Sequence, residues 1–195
     1  MNVSRETTSL IDRYLDLLSI WNRKIRLVGP ESIGSLKTRW TSEAMSLAQF
    51  IRAQEHWVDL GSGSGLPVVI LACVAKGEGV RARFTAIESD RRKAVFLREA
   101  AGRLELPLEV IPKRIETVAA SGASALSAKA LASLPELLRF AEMVAPDARC
   151  YFLKGPAVHR ELVSACTRFK VRYKLQYESG GVGSYILIIE DHRRA

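Results

Sequence analysis

Trp57-Val58-Asp59-Leu60-Gly61-Ser62-Gly63-Ser64-Gly65-Leu66-Pro67 decides how this chain is read. A short apolar run ends in three alternating glycines and a proline. It predicts a strand over 57–60, a tight loop, and a helix over 67–76. Pro67 suits the first helical position, where its missing N–H costs nothing. Glycine permits positive φ and lets a ligand approach the backbone closely. The dinucleotide fingerprint places its third glycine three residues after the second. Here that position is Leu66, and the third glycine comes one residue early. The spacing therefore disfavours a diphosphate cradle.

Moving outward, Gly77-Glu78-Gly79 reads as a turn, and 83–88 as the next strand, ending on Glu88. An acid about 20 residues beyond such a loop can accept hydrogen bonds from ribose hydroxyls. Loop and acid together point to a nucleoside, and a free ribose diol fits S-adenosylmethionine as well as NAD. The loop suits a nucleoside with a methionine tail. Two other templates fail: there is no Gly-x-x-x-x-Gly-Lys phosphate loop, and no serine stands at the centre of a nucleophile elbow.

Asp90 is placed to cap a helix running to Leu104, and 108–111 reads as a third strand. Weaker sequence from Ala119 to Ala128 holds a fourth strand at 125–127. A helix follows at 134–144, a strand at 150–153, a helix at 158–169, and strands at 171–178 and 185–189 joined through Ser179-Gly180-Gly181-Val182-Gly183. Strands alternating with helices predict a mostly parallel sheet, and the closing hairpin adds an antiparallel strand.

Two helices precede the first strand. Leu10, Ile11, Tyr14, Leu15, Leu18, Trp21 and Ile25 form one apolar stripe that Gly29-Pro30 stops. Ile33, Leu36, Trp40, Ala44, Leu47 and Ile51 form another. The expectation is a single domain over 1–195, with a helical cap at 1–55 and an α/β core at 56–195.

The formal charge of +8 favours an anionic partner, nucleic acid first. The cations are spread along the chain, as on a charged face of a folded domain. Three unpatterned cysteines suit buried thiols in a reducing, cytoplasmic setting. Three histidines without ligand spacing predict no metal site. The longest apolar run, Leu66 to Ala75, is too short for a bilayer.

Several blocks then carry a resemblance. They are Trp21-Asn22-Arg23-Lys24-Ile25-Arg26-Leu27, Asp59 to Pro67, and Glu88-Ser89 with Arg92-Lys93 and Phe96-Leu97. Further on come Arg114-Ile115-Glu116, Lys129 to Leu134, and Leu153-Lys154-Gly155. In order and spacing the chain resembles the bacterial guanine-N7 methyltransferases of small-subunit (16S) ribosomal RNA, the RsmG or GidB family, over almost its whole length. The resemblance implies a class I S-adenosylmethionine-dependent methyltransferase, Rossmann-like, acting on the small ribosomal subunit as a monomer.

It also implies roles. Gly61, Gly63, Gly65 and Leu66 would hold the methionine and ribose end of the cofactor, Glu88 the ribose diol, and Ile115 and Glu116 the adenine. Lys129 stands where the family usually has an arginine at the cofactor site. Arg39, Arg92, Lys93 and Lys154 would face RNA. Attack by guanine N7 needs no deprotonation, so no catalytic acid or base is expected.

The chain departs from the family pattern of Arg-His then Asp-Ser on the second helix. It reads Arg39-Trp40-Thr41-Ser42-Glu43-Ala44, with tryptophan for histidine and a longer acid at Glu43. The family's arginine in the closing hairpin is absent around Gly183-Ser184. Two alternatives share the cofactor site: a methyltransferase of this fold with another substrate, and a non-catalytic binder of S-adenosylmethionine or RNA.

Overall fold

Strand β1 (His56–Leu60) turns Val58 and Leu60 toward one core and Trp57 toward another, and none of the three sees water. The computed structural model describes residues 3–29, 33–119, 121–178 and 183–194, with the side chains of 33–40 and 178 outside the described part. In it, β1 pairs in parallel with β2 (Arg83–Ile87) and β4 (Ala125–Lys129). The parallel set continues with β3 (Leu108–Ile111) beside β2 and β5 (Arg149–Lys154) beside β4. An antiparallel strand, β7 (Ser184–Arg194), joins β5 to the outermost strand, β6 (Phe169–Glu178). The order is β3-β2-β1-β4-β5-β7-β6.

Both faces are covered, as a parallel sheet requires. Helices α1 (Arg5–Asn22), α2 (Ile33–Ala48), α3 (Val68–Gly77) and α4 (Arg91–Arg103) share one core with Trp57, Phe84, Tyr151 and Ile186. Helices α5 (Leu134–Val144) and α6 (Val158–Cys166) cover the other face, over Leu126, Phe152 and Leu187. Val68 to Ala75 of α3 are all buried. A helix apolar all round must be enclosed, and α1 and α2 enclose this one.

The chain builds outward from β1 to β3, then returns to lay β4 on the other side of β1. Ligands bind in the crevice that such a reversal opens at the carboxyl ends of the strands. The glycine loop leaves β1 at that end, and Lys129-Ala130 leaves β4 beside it.

Three boundaries differ from expectation. Pro67 caps α3 rather than beginning it. The helix predicted to Phe169 ends at Cys166, because Phe169 is buried as the first residue of β6. Strand β7 runs past Ile189 to Arg194. Its apolar pattern ends, but Glu190 pairs across the ladder with Lys174 at 2.7 Å and Arg172 at 3.5 Å. The hairpin's predicted Ser179 to Val182 turn and the contribution of Ile33, Leu36 and Trp40 to the second stripe lie outside the described residues.

The N-terminal helices are built into the fold. Ser4 N–H and Thr7 Oγ1 both donate to Glu78 Oε1 at 2.7 Å. A Cβ on Gly77 would lie 2.2 Å from Thr7 Oγ1, so α1 and α3 meet at a contact only glycine allows. Trp21 reaches across to Phe96 of α4, ring centroids 5.8 Å apart.

Candidate functional site

Two clefts open side by side at the carboxyl ends of β1 and β4. The first, of about 440 Å³, is floored by the glycine loop. Gly61 and Gly63 hold φ of +63° and +54°, a region other residues enter at a cost. Ser62 N–H donates to Ile87 O at 3.0 Å, and Gly63 N–H to Glu88 Oε2 at 2.7 Å. From beneath, the Tyr14 hydroxyl donates to Ser64 O at 2.5 Å. Burial pushes that hydroxyl well above its ordinary pKa, with Cys73 and Asp59 adding to the effect, so it remains a donor.

Glu88 lines this cleft at the end of β2 and is only 6% exposed. Its Oε1 accepts from Asp90 N–H at 2.7 Å. The two backbone donors fix the carboxylate and still leave acceptor capacity toward the cleft, since an ionised carboxylate takes about four. Asp59 lies behind the loop and lines neither cleft. Its Oδ1 accepts from Ser127 Oγ at 2.5 Å, and Ser127 Oγ accepts from Trp57 Nε1 at 2.9 Å. Burial raises the Asp59 carboxyl to about 7, opposed by its bonds to Ser127 and Ser62 and aided by the Glu88 charge.

The second cleft, of about 310 Å³, is lined by two lysines, two glutamates and Ser184. Lys129 Nζ is bonded to Glu43 Oε2, whose other oxygen accepts from Ser184 Oγ at 3.1 Å. Lys154 pairs with Glu161 at 2.6 Å and donates to Ala132 O at 3.2 Å. Glu161 also accepts from Leu134 N–H at 2.8 Å, where α5 begins. Lys129 and Ala130 wall both clefts. Ala130 has φ +51°, and a left-handed alanine costs roughly 1–2 kcal/mol, so the surrounding fold holds this wall against its preference.

Among the expected site residues, Gly61, Gly63, Leu66, Glu88, Ile115, Glu116 and Lys129 come together around the first cleft, with Lys93 at its edge. Gly65 does not line it. A Cβ there would lie 2.5 Å from Val69 Cγ2 and 2.9 Å from Leu97 Cδ2, so this glycine serves the packing of α3 against α4. Lys154 lies in the second cleft alone. Arg92 lines neither; its side chain is 74% exposed, 3.7 Å from Asp90. The Arg39 and Trp40 side chains lie outside the described part.

Sequence reasoning missed Leu27, Lys113, Arg114, Leu131 and Phe140 in the first cleft, and Glu43, Glu161 and Ser184 as lining of the second. Leu27 had a signal. Asn22 Oδ1 accepts from Leu27 N–H at 2.9 Å and Val28 N–H at 3.0 Å, a side-chain-to-backbone closure that folds the Trp21 to Leu27 block against the cleft. Lys113, Arg114 and Leu131 adjoin Ile115 and Lys129 in the same strand-end loops, whereas Phe140, Glu43, Glu161 and Ser184 are brought in by chain returns that no local pattern records.

A glycine loop after the first strand, an acid after the second and an open switch point define the S-adenosylmethionine-dependent methyltransferases of class I fold. Solved structures agree on the fold. M. jannaschii TYW2 in complex with AdoMet has a TM-score of 0.57 at 14% identity, over 80% of this chain and 76% of that one. A glutamate-to-glutamine mutant of MtNAS in complex with S-adenosylmethionine has a TM-score of 0.61 at 16% identity, over 95% of this chain and 76% of that one.

Sequence comparison narrows the class. Residues 7–183 match the GidB family model, rRNA small subunit methyltransferase G. The ribosomal RNA small subunit methyltransferase G of Gluconobacter oxydans is 39% identical over 98% of this chain and 97% of its own length. That of Cereibacter sphaeroides is 38% identical over 85% and 81%. The chain belongs to the rRNA small subunit methyltransferase G family, and it is an S-adenosylmethionine-dependent methyltransferase.

Proposed function

We propose that this chain transfers a methyl group to N7 of a guanine in 16S ribosomal RNA. The cofactor would occupy the first cleft and the guanine the second. The observation that carries this reading is the pair of clefts at the switch point, meeting at the Lys129-Ala130 wall.

The first cleft fits the cofactor's chemistry. Gly63 leaves room where a side chain would stand, Gly61 lets Leu131 close over the loop, and Glu88 presents free acceptor capacity for a diol. Ile115 and Glu116 would border the adenine, the glutamate accepting from its amino group. S-adenosylmethionine supplies a methyl already activated on a sulfonium. The protein's share is therefore to orient the two reactants and exclude water. Among the described residues, the one carboxyl raised to about 7 is Asp59, which is buried behind the loop. A reaction at guanine N7 needs no base, because the lone pair is already free.

The second cleft suits guanine. Lys129 and Lys154 can donate to O6, while Glu43 and Glu161 can accept from N1–H and the exocyclic amine. Lys93, Lys113 and Arg114 at the first cleft would hold backbone phosphate, as the overall charge favours. Arg39 and Arg92 are proposed for the same work from their positions in the sequence. Action as a monomer is part of the same proposal, and the cysteine content favours the cytoplasm. No helix among the described residues is long and apolar enough to cross a membrane.

The test is methyl transfer from labelled cofactor to small ribosomal subunits lacking N7-methylguanine, with the product mapped by cleavage at that base. A single labelled guanine in 16S RNA is the expected result. Transfer to another position, or none, would overturn the reading.

A further inference from the structure

Beyond the second cleft runs a row of three aromatic rings: Tyr185 packs in part against the core under α5 and α6, while His159 and Tyr177 stay at the surface. Tyr177 on β6 is 58% exposed. It stands directly opposite Tyr185 of β7, with ring centroids 5.4 Å apart and planes at 73°. His159, in the first turn of α6, meets the Tyr185 ring at 5.6 Å and 83°. Tyr185 follows Ser184 and is the register partner of Lys154, and both of these line the second cleft. The row therefore starts at the rim of that cleft and leads outward to the edge of the sheet.

Alternation along β6 puts Tyr177 on the packed face, yet packing covers less than half of its surface. Phe169, Val171 and Leu175 lie on the same strand face as Tyr177 and join the core under α5 and α6. Tyr173 and Tyr177 share that face but are left 43% and 58% exposed. Arg160 follows His159 on the surface of α6.

An enzyme that works on one base must separate it from its stacked neighbours. The neighbours then offer bare π-faces, and an aromatic side chain recovers the lost stacking with little regard to base identity. Continuity with the cleft assigned to the acceptor base favours RNA here, as do the net charge of +8 and Arg160 on the surface beside His159, while the cleft's own lysines are paired with Glu43 and Glu161. We infer that His159, Tyr185 and Tyr177 form a stacking platform for an unpaired nucleotide adjoining the guanine that enters the second cleft. This inference rests on the assignment of that cleft to the acceptor base.

The experiment compares the wild type with Tyr177→Ala and Tyr177→Phe. It measures KM and kcat for unmethylated small subunits, and S-adenosylmethionine affinity by calorimetry. Tyr177→Ala should raise the KM for subunits about tenfold to a hundredfold. It should leave cofactor affinity and kcat at saturation unchanged, as expected for an exposed edge residue. Tyr177→Phe, which keeps the ring, should restore wild-type KM. An unaltered KM in Tyr177→Ala, or equal damage in Tyr177→Phe, would overturn the platform while leaving the acceptor assignment standing. A wild type that transfers no methyl to subunits would overturn the assignment, and the platform with it.

Discussion

Asp59 shows how one buried residue can set the pH response of the fold. Its carboxyl titrates near 3.8 when exposed and near 7 in place, mainly through burial. Between those values the folded state binds more protons than the unfolded one, so stability falls as pH rises through that window and levels off above it. Asp59→Asn removes this titration while keeping an acceptor for Ser127. Thermal unfolding should show similar stability for variant and wild type near pH 4, and a higher Tm for the variant above about pH 7. A variant less stable at high pH than at low pH, relative to wild type, would contradict the assignment.

The same scale explains two departures from the family pattern. Against the pattern that the resemblance implies, the acid at position 43 is the longer one and the base at 129 the shorter. The two meet as an ion pair, with side chains 5% and 22% exposed. Removing one partner of a buried pair typically costs about 3–5 kcal/mol, against about 0–1 for surface pairs. Glu43→Asp alone withdraws the carboxylate from Lys129, and Lys129→Arg alone overfills the space. Each should destabilise by roughly 1–3 kcal/mol, and the double variant should recover most of the loss in a double-mutant cycle. Simple additivity would mean the two exchanges are unrelated.

Among the elements, α1 carries more than a cap's burden. Its N-terminus is tied to the end of α3 by Ser4, Thr7 and Glu78, and Tyr14 at its middle supports the glycine loop. Gly77 makes the close contact possible. Gly77→Ala would ordinarily favour a helix by about 1 kcal/mol. Here the methyl would strike Thr7 backbone as well as its side chain, at 2.8 Å and 2.2 Å. The account expects a net loss of about 1–3 kcal/mol by chemical denaturation, together with weaker cofactor binding through the displaced Tyr14. A stabilised variant would show that α1 is not seated this way.

Element type was legible wherever period and punctuation agreed. Asp90 caps α4 through Arg92 N–H at 2.8 Å, as its place in the sequence implied, and sets a carboxylate among three cations at an unfavourable helix end. Strand β4, read faintly among alanines and serines, is buried at Ala125 to Ala128, since small residues suffice between two packed neighbours. Boundaries failed where tertiary burial overrode pattern, as at Phe169, and where charge pairing extended a ladder beyond its apolar part, as at Glu190.

For the molecule as a whole, the fold and much of the first cleft's lining could be read in advance because the glycine loop, Glu88 and Ile115-Glu116 lie in successive strand-to-loop junctions. The second cleft could not. Glu43 comes from α2, Lys129 from β4, Lys154 from β5, Glu161 from α6 and Ser184 from β7, and only the sheet order brings them together. Such a site belongs to topology rather than to any motif.

The proposed reading places S-adenosylmethionine in the first cleft with Glu88 on the ribose diol. Calorimetric titration of S-adenosylmethionine into the wild type and Glu88→Gln tests it most directly. The wild type should bind at one site per chain. The variant should lose about tenfold to a hundredfold in affinity, the worth of hydrogen bonds to a charged group. No binding by the folded wild type, or equal affinity in the variant, would contradict the reading.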